Sequence, residues 1–141
     1  MIRVAVDAMG GDRAPDEVVA GALEARSSSI EPILFGPAGL DTGTLELVDA
    51  PDVISMDEKP ADAVRAKPNS SLVAACRAVA DGRADAVVSA GNTGAMLAAS
   101  FLELRRLPGI SRPAIAVPLP DRKSTRLNSS HFVPSRMPSS A

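Results

Sequence analysis

The stretch Val4-Ala-Val-Asp7-Ala-Met9-Gly10-Gly11-Asp12-Arg-Ala-Pro15 constrains the fold more than any other part of the chain. An apolar run breaks abruptly at a double glycine. Helix signals follow at once: Pro15 at a first helical position, with Asp16 and Glu17 in the first turn. Proline lacks the N–H that a first turn leaves unpaired, and acidic side chains suit the positive end of the helix dipole. A strand that ends in Gly-Gly and feeds a helix lets backbone approach a ligand at the carboxyl end of a sheet. Many α/β proteins use the same turn for packing alone.

A second turn of this kind lies downstream. Ala86-Val-Val-Ser89-Ala-Gly91-Asn92-Thr93-Gly94-Ala95-Met96 is again a short apolar strand, a glycine turn and a helix. Thr93 or Asn92 caps that helix, and its free N–H groups face whatever sits above the sheet. The remaining pattern is strand and helix in series. Residues 2–8, 32–35, 86–89 and 114–117 read as strands, and 53–55 as a third strand in chain order. Residues 15–26, 61–66 and 94–106 read as helices. Another helix, capped by Asn69 or Ser70, ends near Gly82. The segment 36–50, rich in Gly, Thr and Asp, reads as an irregular connection with a short helix. The expected class is α/β: a three-layer, Rossmann-like parallel sheet with helices on both faces, truncated where the sheet would continue.

DAMGGDRAP and SAGNTGA, in this order, closely resemble the PlsX-type phosphate acyltransferases of bacterial phospholipid synthesis. Asp57-Glu-Lys59-Pro60, Ala63-Val-Arg65-Ala-Lys67, Ser70-Ser71 and Leu107-Pro-Gly-Ile-Ser-Arg112-Pro113-Ala are similar to the same family. The resemblance runs from about residue 1 to about residue 118. It implies transfer of a long-chain acyl group from acyl carrier protein to inorganic phosphate. It also implies a homodimer at full length, peripheral membrane association without a membrane span, and a cytoplasmic setting. The nucleophile is then a substrate, so no side-chain nucleophile, metal or other cofactor is required. The protein has to position phosphate and carbonyl and stabilise the oxyanion. A CoA-dependent phosphate acetyl- or butyryltransferase resembles this family in fold and chemistry, but MGGD argues against it. A non-catalytic Rossmann-like piece is the reading from another class. Full family members are longer, and their cleft uses later segments, so the chain alone is expected to lack acyl transfer.

The candidate substrate- and phosphate-binding residues are Gly10, Gly11, Asp12, Lys59, Arg65, Lys67, Ser70, Ser71, Ser89, Gly91, Asn92, Thr93 and Gly94. The catalytic residues are unassigned. The glycines offer backbone approach. Asn92 and Thr93 either donate to phosphate or cap a helix. Asp7 and Asp12 repel phosphate and read as partners of a Lys or Arg, or of turn amides. Lys59, Arg65 and Lys67, with Ser70 and Ser71, form the densest group of cations and hydroxyls. They read either as a solvated helix face with a cap or as a phosphate or carrier site. Arg105 and Arg106 suit a helix end.

The last 21 residues, 121–141, stand apart. Asp121-Arg-Lys-Ser-Thr-Arg-Leu-Asn-Ser-Ser-His131 back-translates, with suitable codons, to a common short-read sequencing adapter. Ser135-Arg-Met-Pro-Ser-Ser-Ala141 matches its downstream part in the same frame. A Ser/Arg-rich disordered tail fits the composition too, but the shared frame favours the adapter, and an adapter-derived segment carries no information about the fold. The expected division is thus 1–120 for the α/β portion and 121–141 for a poorly packed tail.

Residues 1–120 carry 11 Lys and Arg against 16 Asp and Glu, a net charge of −5, which is no nucleic-acid footprint. The single His, His131, lies in the tail, so a Ser-His-Asp, Cys-His or His-zinc site cannot be built from residues 1–120. Cys76 excludes an intrachain disulfide, and with Leu72 and Val79 it falls on one helical face.

Overall fold

The computed structural model describes residues 1–116, together with the backbone of 119–121 and 124–126. Four strands form an all-parallel sheet in the order β3-β2-β1-β4, with β1 Ile2–Asp7, β2 Ile30–Gly36, β3 Glu46–Asp49 and β4 Ala86–Val88. The register pairs Ile2 through Asp7 with Ile30 through Phe35 on one side of β1, and Val4 through Val6 with Ala86 through Val88 on the other. Helix α1 (Asp16–Ala25) covers one face; α2 (Pro60–Ala66), α3 (Ser71–Ala80) and α4 (Thr93–Glu103) lie on the other. The expected α/β class with helices on both faces is the one observed.

Strand alternation explains the two faces. Val6, Ala8 and Leu34 point to α1 and pack on Val19 and Ala22. Ala5, Ile33 and Phe35 point the opposite way and pack on Ala75 and Ala78 of α3. A third cluster joins α2, α3 and α4 through Val64, Leu72, Cys76 and Ala95. The helix ends follow local rules. The Ser70 hydroxyl accepts from the Val73 amide, and the Asn92 carbonyl oxygen accepts from the Ala95 amide, so each of the two open capping choices has one answer. Gly82, at φ +72°, closes α3: its amide donates to Val79 O while Arg83 N donates to Ala78 O.

Three expectations need correction. The third strand is Glu46–Asp49, inside the segment read as irregular; residues 53–55 form no strand, and only Asp52 makes an isolated bridge, to Ser70. Residues 114–116 are exposed and not in a strand, and position 117 lies outside the described residues. Helix α1 starts at Asp16, with Pro15 just before it, and α4 stops at Glu103, short of the expected arginines. The backbone at 119–121 (β5) pairs antiparallel with 124–126 (β6). The expectation of poor packing beyond residue 121 otherwise falls outside the described residues.

Cys76 is fully buried, and that burial pushes its thiol up to about 11. The thiol therefore stays protonated at neutral pH. Native Cys76 is expected to resist a thiol-specific disulfide reagent and to react at a normal rate in urea. Rapid reaction of the folded chain would contradict this.

Candidate functional site

A sheet ordered 3-2-1-4 reverses direction between β1 and β4. Ligands of open α/β sheets bind outside the carboxyl ends of the strands at such a reversal. Both glycine turns lie there. Residues 10–12 follow β1, residues 89–94 follow β4, and the two strands are neighbours.

The turns interlock. A Cβ on Gly10 would sit 2.5 Å from Asp7 Oδ2, 2.7 Å from Ser89 Oγ and 2.9 Å from the Gly91 amide nitrogen. A Cβ on Gly91 would sit 3.1 Å from the Gly10 Cα. Only hydrogen atoms fit between the chains. Gly11 has φ +122°, which L side chains rarely adopt.

Beneath the interlock sits Asp7, 4 % exposed. One carboxylate oxygen accepts from the Ser71 hydroxyl and, at 3.2 Å, from the Met9 amide. The other accepts from the Ser89 hydroxyl at 2.7 Å. Ser89 Oγ in turn accepts from the Gly91 amide at 3.1 Å. Asp7 thus ties the end of β1 to the start of α3 and the end of β4. The turn-amide role expected for Asp7 is present. The two hydroxyl donors come from residues 64 and 82 positions away and had no local signal. Asp12 is exposed on the first turn.

Asn92 does more than cap α4. Its side-chain nitrogen donates to Ser55 O, Met56 O and Glu58 O at 3.3–3.4 Å, pinning the segment before α2 beside the second turn. Pro60 completes the contact, because a Cβ on Gly94 would meet its ring at 2.6 Å. Within the pinned segment, Glu58 accepts from Lys67 Nζ at 2.8 Å and from the Ser55 amide and hydroxyl at 2.7 and 2.9 Å. Lys67 first, then Ser55, lowers the Glu58 carboxyl to about 2. A carboxyl lowered on folding adds stability above its unfolded value, near 4.5, and loses it as pH falls toward 2. Glu58→Gln is therefore expected to cost stability at pH 6 and to cost much less at pH 2. Urea unfolding at the two pH values checks this; an equal cost at both would contradict it.

The basic and hydroxyl group expected from sequence does not form one cluster. Lys67 is engaged with Glu58 and with Val53 O. Ser70 caps α3 and Ser71 binds Asp7. Arg65 is exposed on α2. Lys59 is exposed immediately before Pro60, the residue that touches Gly94. The donors left at the switch point are mostly backbone, with the exposed Thr93 hydroxyl beside them. Among the described residues, no acceptor meets the amides of Gly11, Asp12, Thr93 and Gly94. Two are turn amides and two are first-turn amides of α4, the donor types that hold small anions. Among the described residues no cluster of His, Cys, Asp and Glu could hold a metal ion, and no helix is long and apolar enough to cross a membrane.

The chain is similar to known proteins over most of its length. Residues 2–128 match the family model described as "Fatty acid synthesis protein". Curated relatives carry the name "Phosphate acyltransferase". One from Heliobacterium modesticaldum is 48% identical over 138 residues, covering 89% of this chain and 41% of the relative. One from Desulfitobacterium hafniense is 49% identical over 137 residues, covering 90% and 41%. One from Levilactobacillus brevis is 50% identical over 127 residues, covering 84% and 37%. The chain spans about two fifths of the length of these relatives.

Proposed function

Since the chain belongs to the fatty acid synthesis protein family, we propose that it forms the phosphate-binding part of an acyl-acyl carrier protein:phosphate acyltransferase. The observation that carries this reading is the pair of interlocked glycine turns, with unpaired amides, at the switch point of a parallel sheet. Phosphate is held by the amides of Gly11, Asp12, Thr93 and Gly94, with Lys59 at the rim. Gly10 and Gly91 allow the turns to touch, and Ser89 fixes the second turn through Asp7. A phosphate oxygen attacks the thioester carbonyl, a tetrahedral oxyanion forms, and the carbon–sulfur bond breaks. The products are acyl phosphate and the carrier thiol. Preorganised amides suit this chemistry because negative charge moves onto oxygen without needing a side-chain nucleophile.

Acyl carrier protein is the proposed acyl donor, and a reducing cytoplasm fits the single buried thiol. A homodimer and peripheral membrane association belong to the same reading. Phe101, Leu102, Leu107 and Ile110 are exposed apolar residues beside Arg105, Arg106 and Arg112, a surface suited to being covered. The test follows thiol release by a full-length enzyme bearing this segment. Phosphate-dependent release from acyl-acyl carrier protein is expected. Equal release with water alone would mark a thioesterase, and preference for short acyl-CoA would mark a phosphate acetyl- or butyryltransferase. In the chain itself, inorganic phosphate should shift the amide resonances of Gly11 and Gly94.

A further inference from the structure

Among the described residues, the α1 face of the sheet is not fully covered. Between α1 and strands β1 and β4 lies a groove of about 750 Å³, inside the range of small-molecule sites. Its walls are mostly apolar: Val4 and Val6 of β1, Val88 of β4, Val18 and Ala22 of α1, and Ile30 of β2, with Asp7, Asp12, Arg13 and Glu17 as the charged lining residues. Its polar end is the candidate anion site, since Gly10, Gly11, Ser89 and Ala90 also line it. From the level of Ile30, which pairs with Ile2, to Asp7 the groove follows the sheet for roughly 17 Å at about 3.3 Å per residue, a length that takes most of an extended long-chain acyl group. Its floor along α1 is kept low by Gly21, at a helix-interior position where glycine is unfavourable. A Cβ there would meet nothing within 4 Å. Among the described residues no packing partner requires that glycine, and its effect is to leave the groove open.

We propose that this groove holds the alkyl tail of the acyl substrate, with the reacting carbonyl at the Gly10–Gly11 and Ser89–Gly91 end. The proposal deepens the acyltransferase reading and rests on it. One end of the channel is the proposed anion site and the other is apolar, so a chain with a charged or carbonyl head has a single orientation. No covalent step involves the groove; it sets which tail lengths place the carbonyl beside phosphate. Val88, 54 % exposed on the β4 side, is the wall most open to solvent.

The test uses the 141-residue chain, with a fluorescent polyene fatty acid displaced by octanoate, dodecanoate and hexadecanoate. Affinity is expected to rise roughly two- to fourfold per added methylene until the groove is full. Gly21→Leu places a side chain in the groove while improving helix propensity. It should raise Tm yet weaken hexadecanoate roughly tenfold and spare octanoate. Val88→Asp, at an exposed position, should weaken all long chains. Affinity independent of chain length, or both variants binding like the parent, would overturn the proposal. So would a chain that dimerises in sedimentation, loses the dimer on Val88→Asp and takes no fatty acid: the groove would then be a face between copies. Phosphate is titrated separately. Hexadecanoate binding without a phosphate response at Gly11 and Gly94 sinks the phosphate reading and leaves the groove standing; the converse sinks only the groove.

Discussion

Replacing Asp7 by alanine is expected to lower the unfolding free energy by roughly 3–5 kcal/mol, a large part of the ~5–15 kcal/mol that holds a domain of this size. The size follows from what the carboxylate serves. It accepts from two hydroxyls and an amide, and Ser71 and Asp7 are almost wholly buried. Truncation strands these donors where water cannot reach them readily, at about 1–3 kcal/mol each before relaxation. Asp7→Asn keeps an acceptor and, by reversing one bond, can donate to Ser89. It should cost roughly half as much. Urea unfolding followed by circular dichroism decides this, read as a shift in midpoint at constant slope. An alanine variant within about 1 kcal/mol of the parent would mean that water replaces the carboxylate and that the three-way tie is not structural.

The second large effect is expected at Gly10. Alanine there must push apart the Asp7 carboxylate, the Ser89 hydroxyl and the Gly91 backbone, all within 2.9 Å of the new methyl group. Two of these are fixed by hydrogen bonds and one is main chain, so none yields cheaply. The expected loss is roughly 2–4 kcal/mol, with phosphate binding abolished in any folded remainder. Gly21 is the internal control, because alanine at that position meets nothing within 4 Å. Gly21→Ala should stabilise by about 0.5–1 kcal/mol through helix propensity alone. Opposite signs for two Gly→Ala changes in one small protein separate steric need from backbone preference. If Gly10→Ala also proves neutral, the turns do not touch as described.

The sheet was legible where an apolar run leads into a glycine turn, as before Gly10, Gly36 and Gly91, and unreadable where a strand is short and half-exposed. Glu46–Asp49 has only Leu47 and Val48 as apolar residues and carries an acid at each end, so nothing in the residues announces pairing with β2. Val53 and Ile54 look more strand-like, yet the chain has already left the sheet and Ile54 packs beneath the helices instead. Ala114–Ala116 is apolar but exposed, which shows that β-propensity needs a neighbour to become a strand. The two turns were legible for a better reason. Parallel strands place their carboxyl ends together, so correct strands bring the turns to one edge. What sequence could not supply was the pairing of Ser71 and Ser89 with Asp7, because spacing along a chain carries no information about which hydroxyl a distant carboxylate meets. Ser71 was grouped with nearby cations by proximity in sequence, and folding turned it toward β1 instead.

The interlock of Gly10 with Gly91 also bears on when the site comes into being. Its two halves are held together by a bond spanning 82 positions, and the parallel pairing of β1 with β4 closes a loop that contains β2, β3 and helices α1 to α3. Such long-range closure is slow, because the loop entropy is lost before any contact compensates it. The anion cradle is accordingly among the last features a folding molecule acquires. An anion that bridges both turns would bind only the finished molecule, so it would act on the folding equilibrium by mass action. Raising phosphate would then slow the opening of β4 from β1, and amide exchange at Val87 and Val88 would report it long before any chemistry took place.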